Sequence, residues 1–366
     1  MTKIKDITHF LETIAPLSYQ ESYDNAGLIV GDSTASVTNV LVSLDCTEAV
    51  VDEAIAKNCN LIVAHHPIVF KGLKKFNGRN YVERTVIKAI KNDVAIYATH
   101  TNLDHVVGGV NFMIAERLGL QNVRVLAPKK DLLMKLVFFV PVENAQSVVD
   151  ALHNVGVGQI GNYDHCSFSV NGTGTFRPNE AATPFIGNAN EIEHVNESRV
   201  EVIFPAYLEA TVMQTLNETH PYEEVAHYLT LLQNTNQEVG AGAIGLLSEG
   251  IAATDFFAYL KQKMQLNVIR HTATCSPIIQ KVAVCGGAGG FLLNDAVRQQ
   301  ADVFITSDYK YHEFFDADGR ILICDIGHYE SEVFTKELLQ RYLSKKFINF
   351  ATILSETITN PVNYYV

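Results

Sequence analysis

The residues best placed to do chemistry are histidines and carboxylates gathered at the ends of apolar runs. "LIVAHHPIVFKG", residues 61–72, carries His65 and His66 where a strand-like run gives way to proline. "VAIYATHTNLD" closes a second run with His100 and Asp104, and "RILICDIGHYESE" closes a third with His328 and Glu332. Imidazole nitrogens mixed with carboxylate oxygens suit zinc, manganese or iron better than calcium or magnesium, whose sites are almost wholly oxygen. His328 and Glu332 stand four residues apart, so a helix beginning near His328 projects both from one face. His65, His66, Asp104, His328 and Glu332 exceed what one four-coordinate structural site needs, and carboxylates bridge, so the count points to two divalent ions. Such a pair holds a water, lowers its pKa and positions it for attack, which is metal-assisted hydrolysis.

Taken singly, each feature has a plainer reading. An HH dipeptide is commonly structural, an H-x-x-x-E spacing is commonly a solvated salt-bridged face, and Asp104 also fits as a cap on the helix after it. Position joins them: in an open α/β sheet, function collects at the carboxyl ends of the strands. His100, and His312 in "SDYKYHEFFDA", are the candidate catalytic groups for proton transfer or substrate orientation; the plainer reading of His312 is an exposed helix histidine. Lys71, Lys74 and Lys75 are either phosphate contacts or a solvated cluster.

The elements that must carry these residues alternate. "ITHFLETIAP" reads as helix, "VTNVLVSLD" as strand, "AVVDEAIAKN" as helix, "LIVAHH" as strand, "VERTVIKAIKND" as helix, "VAIYATH" as strand and "GVNFMIAERLGL" as helix. The rhythm returns near the C-terminus with "KVAVCGGAGG", "LLNDAVRQQ", "ADVFITSD", "YHEFFDA", "RILICDIG" and "SEVFTKELLQRYLSKK". Strand and helix in alternation predict an α/β fold with two α/β halves and mainly parallel sheets covered by helices. Between the halves, "LLMKLVFFVP", "SVVDALHNVG", "HCSFSVNGTGTF", "VEVIFPA", "LEATVMQTLNETH" and "EVAHYLTLL" follow a β-α-β, β-α-β order with antiparallel character, the ferredoxin-like pattern of a separate α+β insert. The expected boundaries are 1–128, 129–236 and 237–366.

Composition narrows the function classes. The chain has 366 residues, 47% of them hydrophobic, which describes globular domains and not a disordered chain. A net charge of -12 disfavours nucleic acid and anionic membrane surfaces as general partners. "MTKIKDITHFLETIAP" lacks the apolar core of a signal peptide and no run approaches the roughly 18 apolar residues of a span, so a cytoplasmic location is expected. Six scattered cysteines without a C-x-x-C pair read as reduced, mostly buried thiols. "CGGAGGF" lacks the third glycine of a dinucleotide turn; its glycines instead let backbone approach the metal cleft or form an anion nest. No P-loop, H-E-x-x-H helix or G-x-S-x-G elbow is present.

Together, "AHHPIVFKG", "YATHTNLD" with "GGVN" close behind, "TSDYKYHE" and "DIGHYESE" resemble the GTP cyclohydrolase I type 2 homologues, also called NIF-three-like proteins, in the expected order over nearly the whole chain. The resemblance implies two similar α/β halves around a dinuclear centre of two divalent ions, zinc first, with iron or manganese as alternatives. By motif, the ligands it implies are His65, His66, Asp104, His328 and Glu332. It also implies a PII/CutA-like insert, whose hallmark segments are "GNYDHCSFSVNGTGTFRP" and "HPYEEVAHYL", and a homohexamer built from trimers. His105, after the aspartate, departs from many relatives. The implied activity is hydrolysis of a nucleotide or related heterocycle, with opening of the guanine imidazole ring the named case and phosphoester hydrolysis the neighbouring one. The rival reading is a non-catalytic metal-binding regulator or scaffold with a ligand-sensing insert.

Overall fold

The computed structural model describes residues 1–365. Residues 1–127 together with those from Glu238 onward form one compact unit, and Pro128–Gln237 forms another. The first unit is α/β and holds two sheets. One has five strands in the order Gly27–Val30, Ala95–Ala98, Leu61–Ala64, Val40–Ser43 and Thr352–Leu354. All its pairings are parallel except that of Gly27–Val30 with Ala95–Ala98. The central strands VLVS, LIVA and AIYA are buried at every position, as strands covered on both faces must be.

The second sheet has six strands, in the order Arg270–His271, Leu322–Asp325, Val303–Thr306, Ile278–Val284, Asn236–Ala252 and Gln121–Lys129. Its centre is parallel, and Arg270–His271 and Asn236–Ala252 flank it antiparallel. Helices between the strands start on side-chain caps where the sequence supplies them: Thr47 accepts from the Val50 N–H at 3.4 Å, and Asn80 accepts from the Glu83 N–H at 2.9 Å. The last predicted helix is two, His328–Glu332 and Thr335–Lys346. The chain then returns to place Thr352–Leu354 beside Val40–Ser43, so the first sheet is completed from the far end of the sequence.

The Pro128–Gln237 unit is a four-stranded antiparallel sheet ordered Phe168–Phe176, Glu193–Pro205, Leu133–Pro141 and His227–Leu232. One face packs on the helices Ala145–Asn154 and Glu209–Thr219 through Leu136, Phe138, Val200, Val202, Leu152 and Leu216. Along the chain its elements run strand, helix, strand, strand, helix, strand. Among the described residues, no helix is long and apolar enough to cross a membrane.

Candidate metal centre

Three strand ends of the α/β unit converge. Leu61–Ala64 runs into His65 and His66, whose N–H groups both donate to the Leu44 carbonyl, at 3.0 and 2.9 Å. This seats the pair at the sheet end, and Pro67 follows. Ala95–Ala98 runs into Thr99, His100 and the one-turn helix Thr101–Asp104. Asp104 therefore closes a turn, and Gly109, not Asp104, caps the next helix, Val110–Arg117. Leu322–Asp325 runs through Gly327, at φ +90°, into His328–Glu332, where the helical spacing brings His328 Nε2 to 3.1 Å from Glu332 Oε2.

Glu332 is 3% exposed and stands at the centre. Its Oε2 lies 2.9 Å from His66 Nε2 and 3.1 Å from His328 Nε2, and these two nitrogens are 3.4 Å apart. Its Oε1 lies 3.8 Å from His65 Nε2, which is 3.6 Å from Asp104 Oδ1. The two oxygens thus face separate pairs of donors. Donors about 2.0–2.1 Å from one tetrahedral ion stand roughly 3.3 Å from each other, so these spacings fit metal ligation. Both ring nitrogens of His65 and Asp104 Oδ1 are buried without a hydrogen-bond partner, an arrangement that costs about 1–3 kcal/mol per group unless a ligand answers it. His65, His66 and Glu332 converge within 4.8 Å as a possible metal site.

Comparisons with known proteins place the chain in a family. The family model Duf34/NIF3 (NGG1p interacting factor 3) matches residues 2–361. The chain belongs to the Duf34/NIF3 family. It is 39% identical to the GTP cyclohydrolase 1 type 2 homolog of Bacillus subtilis (strain 168) and 38% identical to that of Halalkalibacterium halodurans, covering 98% of both partners in each comparison. Among solved structures it is similar to a Bacillus cereus protein related to NIF3, with a TM-score of 0.87 and 39% identity over 100% of this chain and 99% of that one. A Staphylococcus aureus protein follows at TM-score 0.78 and 32% identity, again covering 100% and 99%.

In this member of the Duf34/NIF3 family a second layer of carboxylates orients the histidines. His66 Nδ1–H donates to Asp45 Oδ1 at 2.7 Å, and His328 Nδ1–H donates to Asp308 Oδ2 at 2.6 Å. An imidazole held this way presents Nε2 to a metal in a fixed orientation. Among themselves the side chains balance charge with protons. Burial works against the His66 and His328 cations, yet Asp45 and Glu332 raise His66 to about 10, and Glu332 and Asp308 raise His328 to about 9. Burial pushes His65 down to about 4. Burial, then the neighbouring Glu332 charge, pushes Asp104 well up. A divalent cation would replace the two imidazolium protons and supply the charge that Asp104 lacks.

Asp45 and Asp308 were not singled out in the sequence, although "SLD" and "TSD" place both just past strand ends. Asp24 was missed as well: its Oδ1 accepts from His100 Nδ1–H at 2.6 Å, and its Oδ2 accepts from the Thr101 N–H at 3.0 Å. Burial would raise Asp24, but hydrogen bonds from His100 and Thr101 hold it at about 2. The His100 ring stands 5.5 Å from the rings of both His65 and His66 and lines, with His66, Asp104, His328 and Glu332, a cavity of about 1140 Å³, whereas His312 is exposed against Tyr311 and Phe315 and does not line that cavity. His312 follows its strand end by six residues, and the 3-10 helix Tyr311–Ala317 turns it outward. Lys71, Lys74 and Lys75 are exposed and do not line the cavity either. His105 is buried, with Nδ1–H donating to the Tyr19 carbonyl at 2.9 Å.

The glycine and "GGVN" motifs also have positions here. Gly287 has φ +61°, and a Cβ there would stand 2.5 Å from Glu332 Oε1. Asn111 ties two loops together: its Nδ2 donates to the Asp104 carbonyl at 2.9 Å and its Oδ1 accepts from the Gly286 N–H at 2.9 Å.

Proposed function

We propose that this chain is a dinuclear metal-dependent hydrolase acting on a nucleotide-like or related heterocycle. The observation that supports it most is Glu332, whose two oxygens face His66 with His328 on one side and His65 with Asp104 on the other. These five side chains would hold two divalent ions, zinc first and iron or manganese as alternatives. When bound, such a pair supplies an activated water and stabilises developing negative charge.

The chain's own groups suit the remaining tasks. His100, with Nδ1 committed to Asp24, keeps Nε2 for proton transfer in the cavity it lines. That cavity, about 1140 Å³, is large enough for a nucleoside, and Tyr23, Phe70, Tyr81 and Phe291 offer ring faces to a planar base. Its wall is acidic before metal binds. Glu21, Asp45, Asp104, Asp308, Asp325, Glu330 and Glu332 line it, against the single guanidinium of Arg270, which is already paired with Asp325 at 2.9 Å. With Asp104 and Glu332 holding two divalent ions, and Asp45, Asp308 and Asp325 paired with His66, His328 and Arg270, the ions' charge offsets the acidic wall, and the panel below decides how much phosphate the substrate carries. A homohexamer in the cytoplasm completes this reading, and light scattering tests the assembly.

The functional test is turnover of a panel of nucleobases, nucleosides and nucleotides including GTP, by metal-loaded and chelated protein and by Glu332→Ala. Metal-dependent turnover that the variant loses supports the hydrolase. Two bound ions with no turnover across the panel would favour the scaffold.

A further inference from the structure

The segment "HPYEEVAHYL" takes no part in the metal centre, and its first residues build a second cavity inside the Pro128–Gln237 unit. His220, 7% exposed, donates from Nε2–H to the Phe139 carbonyl at 2.9 Å and accepts the Tyr222 backbone N–H on Nδ1 at 3.1 Å. These two bonds require the neutral ring, and burial likewise pushes its pKa down. The imidazole is therefore a clip that fixes where Tyr222 points. The Tyr222 hydroxyl donates to Glu197 Oε1 at 2.9 Å.

Glu197 is 7% exposed, and among the described residues no basic side chain pairs with it. Arg199, two residues along on the same sheet face, pairs with Glu201 at 2.8 Å. The Glu197 side chain lies against Gly174, where a Cβ would come 2.0 Å from Oε2, so the glycine makes room for the carboxylate. By register, Phe139, Gly174 and Glu197 project from the sheet face opposite the helix-packed core of Leu136, Phe138, Val200 and Val202. The cavity there measures about 470 Å³, and the loop after Phe176 covers it. Phe176 and Phe185 stand with ring centroids 5.9 and 6.3 Å from that of Tyr222. Glu223 and Glu224 add negative charge, and Arg177, the one basic residue on the wall, is exposed.

A buried carboxylate is costly unless a counter-charge meets it, and a neutral phenol supplies only a hydrogen bond. Aromatic faces around it attract cations. We propose that this cavity is a binding site for a small organic ammonium ion, with Glu197 as its counter-charge and Phe176, Phe185 and Tyr222 as its aromatic walls. The site is separate from the metal centre in residues and in chemistry.

The test uses the full chain and three probes of one shape: phenethylammonium, neutral 2-phenylethanol and anionic phenylacetate, followed by calorimetry and saturation-transfer NMR. The ammonium should bind about tenfold or more tighter than either analogue. Glu197→Gln should weaken it by at least about tenfold, and Phe185→Ala, which removes a ring already 54% exposed, by about two- to fivefold. Chelating the protein's metal should leave the affinity unchanged. No binding of the ammonium, equal binding of phenylacetate, wild-type affinity in Glu197→Gln or loss of binding on chelation would each overturn the proposal. Should Glu197→Gln fail to fold, wild-type affinity in Phe185→Ala overturns it instead.

Discussion

Asp104→Asn should shift stability in opposite directions with and without metal. Asp104 Oδ1 is buried without a hydrogen bond, 3.6 Å from His65 Nε2, and the Glu332 charge adds to its burial in disfavouring the carboxylate. A neutral isostere removes the cost of holding an ionisable carboxyl there above its unfolded pKa, on the order of 1–3 kcal/mol at neutral pH by linkage. At roughly 2–4 °C per kcal/mol for a unit of this size, the chelated variant should melt about 2–12 °C above chelated wild type. With zinc the sign reverses. Loss of a group that merely orients a ligand weakens metal binding about 10–100-fold, so loss of a direct ligand should exceed about 100-fold, or about 2.7 kcal/mol. The zinc-dependent rise in melting temperature should shrink accordingly. Calorimetric melting of both proteins, with chelator and with saturating zinc, reads both arms. A chelated variant less stable than wild type, or a zinc-dependent rise equal to that of wild type, would refute the reasoning.

Gly287→Ala should lower metal content without unfolding the chain, since its Cβ would stand 2.5 Å from Glu332 Oε1 in a left-handed backbone; plasma mass spectrometry on the folded variant checks this. His100→Gln should leave metal content intact and lower kcat by about 10²–10⁴-fold on whichever substrate the panel identifies. Glu53 secures the C-terminal segment by accepting from Ser355 Oγ at 2.6 Å, the Glu356 N–H at 2.8 Å and Thr357 Oγ1 at 2.7 Å. Burial would raise its carboxyl, but the bonds from Ser355 and Glu356 hold it at about 2, below the ordinary 4.5. Its stabilising contribution is therefore present above about pH 4.5 and lost as pH falls towards 2, and Glu53→Gln should cost on the order of 1–2 kcal/mol at neutral pH after allowance for solvent screening. Urea unfolding of both proteins at neutral and acid pH measures it, with the difference vanishing at the acid end.

Much of the site was legible because its chemistry sits where strands end. His65 and His66 follow a fully buried run, and His328 and Glu332 needed only one helical turn to share a face. The orienting carboxylates were not legible. Asp24 meets His100 across 76 residues of sequence and Asp308 meets His328 across 20, and local pattern carries no such pairing. The same limit hid the return of Thr352–Leu354 to the first sheet, because a three-residue edge strand has too little periodicity to announce its partner. His312 shows a different limit. A position near a strand end left two readings open, cleft residue or exposed histidine, because sequence does not say which way the 3-10 helix after Lys310 turns; in the structure the ring is exposed.

The most direct measurement is anomalous diffraction at the zinc edge from a crystal of zinc-loaded protein. The account predicts two peaks per chain, about 3.5–4 Å apart, one beside His65 and Asp104 and the other beside His66 and His328, with Glu332 between them. A single peak, or peaks away from Glu332, would contradict it.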